Sequence, residues 1–191
     1  LWHIVKPHDV HPLVAERITE GGIRVVYIHR DIRDVAASVE RVRGLRGQAL
    51  IDRVTNAVEA YYELAAVREE AGDYLLWQRY EEATRNPAVA ARQVADTLSI
   101  DVDEETIQRI AAECSVDASK ERCDAQHRNV IAVFNELRKD DVAAAREWLG
   151  QVQRGQRIVQ DPEFLLPHNH VSKEKGASGV WKDVLSPEEA N

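Results

Sequence analysis

The sequence predicts an α/β fold in which a parallel β-sheet lies between layers of helices. Short apolar runs occur at 2–6, 24–29 and 73–78, and amphipathic segments separate and follow them. The middle run carries no charge between Val25 and Ile28, which is typical of a central parallel strand covered on both faces. At 191 residues, the chain is predicted to form a single domain over 1–191.

Apolar periodicity and helix-boundary residues predict helices at 33–43, 48–71, 87–98, 103–113, 128–138 and 140–149. Asp31 is placed to cap the first of these helices. The apolar side chains of that helix share one face, and they are Val35, Val39 and Val42. The longest helix ends at Gly72, a residue type that favours a carboxy-terminal cap.

An arginine stands at the junction between the second apolar run and the helix that follows it. Arg30 comes at the carboxyl end of a predicted parallel strand, where open α/β sheets bind ligands. Ser38 lies about two turns into the helix and is expected to reach the same place. A guanidinium fork together with a hydroxyl favours phosphate or another anion with several oxygens. The alternative is that Arg30 forms a structural ion pair with Asp34.

Four segments, in collinear order, resemble motifs of the sulfotransferases that use 3′-phosphoadenosine 5′-phosphosulfate (PAPS). Residues 4–8 (Ile-Val-Lys-Pro-His) resemble the strand and Lys-Thr-His motif that carries the catalytic base. Residues 30–38 resemble the 3′-phosphate motif, with Asp-Ile in place of the usual Asn-Pro. Residues 74–83 resemble an apolar strand that ends in Arg-Tyr-Glu-Asp-Leu, and residues 175–182 resemble the Lys-Gly-x-x-Gly-x-Trp-Lys loop that folds over the nucleotide.

The resemblance implies a P-loop NTPase-like fold of the sulfotransferase type, with a three-layer arrangement of helices around a parallel sheet. It also implies two catalytic residues. His8 would accept the proton of the acceptor, since the pKa of histidine suits a general base near neutral pH. Lys6, on the same side of an extended segment, would stabilise charge on the transferring group.

The nucleotide-binding residues implied by the resemblance come from several parts of the chain. Arg30 and Ser38 would bind the 3′-phosphate, and Tyr80 would lie beside the adenine. Lys175 and the amide of Gly176 would contact the nucleotide from a covering loop at 172–182. Ser115 would be a further contact, in a segment where Val116 replaces the phenylalanine that is frequent in the family.

The resemblance further implies that PAPS is the sulfuryl donor, that no metal is required, and that the acceptor is a small molecule or a carbohydrate with a hydroxyl or amine. Residues 151–175 show little periodicity and are predicted to form a long loop. We expect residues 129–171 to form a lid over the acceptor. The family's loop for the 5′-phosphosulfate has no counterpart in this sequence, so we expect the chain to be incomplete at its amino terminus.

The net charge of −8 and the pI near 5.4 argue against general binding of nucleic acids, which requires a basic surface. A dianionic nucleotide must then be held by a local cluster of cations, for which Lys6, Arg30, Lys173 and Lys175 are the candidates. The sequence contains no apolar run of membrane-spanning length and no recognisable signal peptide. A cytoplasmic location is therefore predicted.

Two other functions fit parts of the pattern. A kinase-like transferase with a related parallel sheet would need an acidic ligand for Mg²⁺ near a strand end, and Asp31 is the candidate. A chain without the 5′-phosphosulfate loop would also fit a non-catalytic nucleotide-binding module. Binding of adenosine 3′,5′-bisphosphate with and without Mg²⁺ distinguishes these functions.

Overall fold

A computed structural model describes residues 12–153, 156–157, 159–161, 163, 171 and 177–190 of the chain. These residues form two compact units, one within 1–111 together with 178–191 and the other within 112–177. In chain order, the described helices are α1 (Pro12–Thr19), α2 (Ile32–Arg43), α3 (Gln48–Ala71), α4 (Tyr80–Arg85), α5 (Pro87–Leu98), α6 (Glu104–Glu113), α7 (Val116–Asp140), α8 (Val142–Gln153), α9 (Trp181–Val184) and α10 (Pro187–Ala190).

The sheet of the first unit consists, within the described residues, of β1 (Val25–His29) and β2 (Leu75–Arg79). The two strands are parallel, with Val25 opposite Leu75 and His29 opposite Arg79. Helices α2 and α3 form the long crossover connection that parallel neighbours require. The predicted strands at 24–29 and 73–78 are therefore confirmed to within two residues, whereas the predicted strand at 2–6 lies outside the described residues.

One face of the sheet carries the core of this unit. Ile18 of α1 and Leu64 and Ala71 of α3 are buried against Leu75, with Tyr27 and Trp77 packed around them. On the other face, Val26 and Ile28 are 37% and 52% exposed. The prediction that β1 is covered on both faces is therefore wrong for the described residues. Helix α5 packs on the second face over Gln78 of β2 but leaves Val26 and Ile28 of β1 exposed. A parallel pair with crossover helices is nevertheless an α/β arrangement.

Helix α2 begins as predicted, since the Asp31 carboxylate accepts a hydrogen bond from the backbone amide of Arg33 at 2.9 Å. Its buried face differs from the prediction. The buried side chains are Asp34, Ala36, Ala37 and Glu40, whereas Val35, Val39 and Val42 are half-buried. The reason is tertiary, because Ala36 and Ala37 form a second small core with Leu50 and Leu185, and Trp181 packs against it.

Helix boundaries marked by glycine or proline agree with the sequence. Helix α3 ends at Gly72, whose φ of 50° lies in the left-handed region that glycine adopts readily. Helix α5 has Pro87 in its first turn. Helix α10 begins with a reciprocal cap, in which Ser186 Oγ accepts from the amide of Glu189 and Glu189 Oε2 accepts from the amide of Ser186.

The second unit contains α7 and α8, which pack against each other. Their buried side chains are Cys123, Val130, Ala145 and Val152. Asp141 joins the helices, and its carboxylate accepts hydrogen bonds from the amides of Ala143 and Ala144. The predicted helix at 128–138 is only the second half of α7, and the predicted loop begins after Gln153 instead of at 151.

Candidate functional site

The carboxyl ends of β1 and β2 bring two residues of the predicted site together. Arg30 directly follows β1, and Tyr80 directly follows β2 as the first residue of α4. Because the strands are parallel and His29 lies opposite Arg79, the residues that follow them lie at the same edge of the sheet. The guanidinium carbon of Arg30 is 4.6 Å from the centre of the Tyr80 ring, a distance at which a cation is attracted by an aromatic face.

Two carboxylates flank the Arg30 guanidinium. Its Nη2 is 3.7 Å from Asp34 Oδ2, and its Nε is 4.0 Å from Glu81 Oε1. The ion pair between Arg30 and Asp34, the structural alternative raised by the sequence, is therefore present. Both distances exceed those of a direct hydrogen bond, so these contacts are ion pairs without hydrogen bonding.

Asp34 also binds a segment that is distant in the sequence. Its Oδ2 accepts a hydrogen bond from the amide of Gly179 at 2.9 Å, and its Oδ1 accepts one from the amide of Trp181 at 3.2 Å. The indole of Trp181 lies under the guanidinium of Arg33, at 4.1 Å. Residues 178–182 are called the closing segment below.

A cleft of about 500 Å³ opens between the strand ends and the closing segment. A cavity of this volume is in the range that binds small molecules. Its lining residues are Asp31, Arg33, Asp34, Arg79, Glu81, Ser178, Gly179, Trp181 and Lys182. The basic residues of this lining are Arg33, Arg79 and Lys182, which the sequence did not single out as site residues.

The acidic residues of the cleft are held by neighbouring arginines. Asp31 Oδ1 accepts from Arg33 Nε at 3.0 Å, and Asp31 Oδ2 accepts from Arg33 Nη2 at 2.7 Å. The pKa of Asp31 is lowered, first by this side-chain hydrogen bond. Glu81 lies 3.7 Å from Arg79 as well as near Arg30. These carboxylates are consequently compensated, which reduces their repulsion of a bound anion.

Of the other predicted site residues, the structure describes Ser38 and Ser115. Ser38 is half-buried on α2, one turn beyond Asp34 on the same helical face. Ser115 caps α7 in the second unit, where its hydroxyl accepts from the amide of Ala118 at 3.2 Å. Lys6, His8, Lys175 and Gly176 lie outside the described residues.

An aromatic cluster lies beside the strand ends, around His29. The imidazole is 5.3 Å from the Trp77 ring and 5.7 Å from the Tyr61 ring. Burial lowers the pKa of His29 below its ordinary value near 6.5, and the charge of Arg79 lowers it further. His29 is therefore neutral at pH 7.

Comparison with known families shows which family the chain belongs to. A family model described as the sulfotransferase domain matches residues 2–156. The chain belongs to the sulfotransferase family. The sulfotransferase match includes Arg30, Tyr80 and Ser115, together with the region of Lys6 and His8, and membership indicates that the chain is a transferase of sulfuryl groups. Searches of curated proteins and of solved structures found no significant match.

The described residues of this sulfotransferase contain neither a metal-binding group nor a membrane-spanning helix. Among those residues, no group of three or more histidine, cysteine, aspartate or glutamate side chains is arranged to hold a metal ion. None of the helices found there combines the length and apolarity needed to cross a membrane.

Proposed function

We propose that this sulfotransferase moves a sulfuryl group from PAPS to the hydroxyl or amine of an acceptor. The observation that carries the proposal is the convergence of Arg30, Tyr80 and the closing segment at one edge of a parallel sheet, where Asp34 contacts both Arg30 and the closing segment. These are three of the four places where the sequence resembles the PAPS-dependent motifs. They are far apart in the chain and adjacent in the fold.

Arg30 is proposed to bind the 3′-phosphate, with Ser38 as a second donor. The residues fit this group in charge and geometry. Arg30 presents a planar fork whose contacts with Asp34 and Glu81 are longer than hydrogen bonds, and forked pairing with phosphate is a strong interaction. Ser38 lies one turn beyond Asp34, on the face of α2 that Arg30 contacts. Arg79 and Lys182 add positive charge to the cleft that Asp34 also lines.

Tyr80 is proposed to lie beside the adenine, while its ring supports the Arg30 guanidinium. Lys175 and Gly176, which precede the closing segment in the sequence, are proposed to contact the nucleotide from the covering loop. Ser115 remains proposed as a further contact. No metal is needed for these roles, because each uses a protein donor or a protein charge to hold an anion.

The reaction itself requires a base and a stabilising cation. The acceptor oxygen or nitrogen forms a bond to sulfur while the bond between sulfur and the bridging phosphate oxygen breaks. His8 is proposed to take the acceptor proton, and Lys6 to stabilise charge on the oxygens around sulfur. The products are a sulfate ester or sulfamate and adenosine 3′,5′-bisphosphate.

The acceptor is proposed to be a small molecule or a carbohydrate, covered by residues 129–171. The described part of that region contains the end of α7 and α8. The excess of acidic residues disfavours a nucleic-acid acceptor. The assignment of residues 129–171 as a lid and the cytoplasmic location stay predictions.

A kinase-like reaction is the less favoured alternative. It would need a carboxylate that is available for Mg²⁺ at the strand ends. Both oxygens of Asp31 accept hydrogen bonds from Arg33, so the candidate ligand is already occupied by a cation. A non-catalytic nucleotide-binding module would share the binding residues and differ only in lacking transfer.

The direct test is transfer of labelled sulfur. The full-length protein is incubated with PAPS carrying ³⁵S and with a panel of phenols, alkyl amines and sugars, in the presence of EDTA. We expect labelled product and adenosine 3′,5′-bisphosphate in equal amounts for at least one acceptor class. Absence of transfer from PAPS together with phosphate transfer from ATP and Mg²⁺ would support the kinase-like alternative instead.

A further inference from the structure

Asp34 connects two parts of the site that the sequence does not link. Its Oδ1 accepts a hydrogen bond from the amide of Trp181, and its Oδ2 accepts one from the amide of Gly179. The same Oδ2 lies 3.7 Å from Arg30 Nη2. One carboxylate therefore contacts both the closing segment and the arginine at the end of β1.

The burial of Asp34 makes these contacts a requirement of the fold. The residue is 2% exposed, and a buried charge is tolerated only when it is paired and hydrogen-bonded. The two amides come from residues about 145 positions later in the chain. When the closing segment leaves α2, Asp34 loses both of these hydrogen bonds and keeps its ion pair with Arg30.

The orientation of Asp34 in turn restrains Arg30. Two amides, one on each oxygen, fix the plane of the carboxylate. The fixed Oδ2 lies on one side of the guanidinium, the Tyr80 ring lies under it, and Glu81 faces its Nε. A long side chain that is already held in one arrangement loses less rotamer freedom when it binds a ligand.

We propose that Asp34 is a positioning residue that couples docking of the closing segment to the orientation of Arg30. Docking of the segment prepares Arg30 for the 3′-phosphate. By linkage, binding of the nucleotide strengthens docking of the segment to the same degree. This inference rests on the proposed function, because the ligand that engages Arg30 is taken to be the nucleotide.

Glu40 provides a matched control on the same helix. It is also buried, at 7% exposed, and Arg46 Nη2 pairs with its Oε1 at 2.6 Å. The amides of Gly179 and Trp181 donate their hydrogen bonds to Asp34 and not to Glu40. Loss of its charge should therefore destabilise the fold without affecting the link between the closing segment and Arg30.

The experiment compares wild type, Asp34→Asn and Glu40→Gln by amide hydrogen exchange and by calorimetry with adenosine 3′,5′-bisphosphate. In wild type, saturating nucleotide should slow exchange of the Gly179 and Trp181 amides. In Asp34→Asn we expect these amides to exchange about tenfold faster and the affinity to fall by about tenfold, in line with the loss of charge-assisted hydrogen bonds. Glu40→Gln should lower the unfolding temperature while leaving exchange at these amides and affinity unchanged.

Arg30→Lys tests the same coupling by changing Arg30 instead of Asp34. This test does not depend on the folding of an Asp34 variant. At saturating nucleotide, the lysine variant should bind without slowing the Gly179 and Trp181 amides, because the fork that faces Asp34 is gone. Wild type that binds the nucleotide with no change at these amides overturns the coupling alone. So does an Asp34→Asn variant that matches wild type in affinity and exchange. Wild type that does not bind the nucleotide overturns the proposed function and the coupling with it.

Discussion

The guanidinium of Arg30 lies 4.6 Å over the ring of Tyr80, and this contact joins the ends of the two parallel strands. Each residue stands immediately after its strand, so the register of the sheet fixes their proximity. Arg30 is also enclosed by Asp34 and Glu81. The contact therefore places a charged fork at the strand edge with a flat ring beneath it.

Replacement of Tyr80 tests whether the ring supports Arg30. We expect Tyr80→Leu to reduce the affinity for adenosine 3′,5′-bisphosphate by about threefold to thirtyfold, since cation–π contacts contribute roughly 0.5–2 kcal/mol. Tyr80→Phe keeps the ring and should retain most of the affinity. Calorimetric titration of both variants measures the difference. Equal losses in Tyr80→Phe and Tyr80→Leu would instead assign the role to the hydroxyl.

Substitutions of Arg30 separate the contribution of its positive charge from that of its forked guanidinium. Arg30→Ala should reduce nucleotide affinity by about tenfold to a hundredfold or more, because hydrogen bonds to charged groups contribute roughly 1.5–3 kcal/mol each. The side chain is only 16% exposed and lies between two acids, so this variant should also lower the temperature of unfolding. Arg30→Lys keeps the charge and should preserve more stability while still losing affinity.

A different result would show that Arg30 does not bind the nucleotide. If Arg30→Ala unfolds the protein under native conditions but its folded fraction binds the nucleotide with wild-type affinity, Arg30 serves only as a structural partner of Asp34. Affinity is measured by calorimetry and stability by thermal unfolding in the same buffer, so that the two losses can be separated.

His29 should make the protein less stable in mild acid. Its pKa in the folded state is lowered by burial and by Arg79, so the unfolded state takes up the proton first as the pH falls. The contribution of His29 to stability is therefore fully present above its ordinary pKa near 6.5 and is lost as the pH falls through its folded pKa. The free energy of unfolding, measured in urea from pH 8 to pH 5, should decrease as the pH falls below about 6.5.

His29→Gln is the matched variant for this effect, since it removes the titration and keeps a polar side chain. The difference in unfolding free energy between wild type and His29→Gln should vary with pH below about 6.5 and stay constant above it. A difference that is constant over the whole range would show that His29 has the same pKa in both states. Subtracting the two curves removes the contribution of the other histidines.

His8 should control the rate without controlling nucleotide binding. In the full-length protein, we expect His8→Ala to lower kcat by about 10²–10⁴-fold, which is the usual contribution of a positioned general base. The affinity for adenosine 3′,5′-bisphosphate should be unchanged. The wild-type kcat/KM profile should fall on the acid side with an apparent pKa of roughly 6–7, and the variant should lack this limb. A His8→Ala enzyme with wild-type kcat and pH profile would refute the role.

The local features of the site were predictable from the sequence. The uncharged run 25–28 predicts β1, Asp31 predicts the start of α2, and their junction places Arg30 at the end of a strand. Pro87 likewise marks the first turn of α5. Each of these depends on residues that are close together in the chain, where propensity and capping act directly.

The features that were missed depend on distant contacts or on polar stabilisation. The buried face of α2 is set by the segment around Trp181 and Leu185, and no local pattern encodes its contact with Asp34. The first half of α7 has few apolar positions. Polar contacts accompany it, including the ion pair of Lys120 with Asp124 and the hydrogen bond from Arg122 to the carbonyl of Glu113.

Binding of adenosine 3′,5′-bisphosphate in the presence of EDTA tests the central claim most directly. The account predicts saturable binding to wild type without metal, at least tenfold weaker binding to Arg30→Ala, and no preference for ATP with Mg²⁺. Failure of wild type to bind adenosine 3′,5′-bisphosphate, or tighter binding of ATP with Mg²⁺ than of adenosine 3′,5′-bisphosphate, would contradict it.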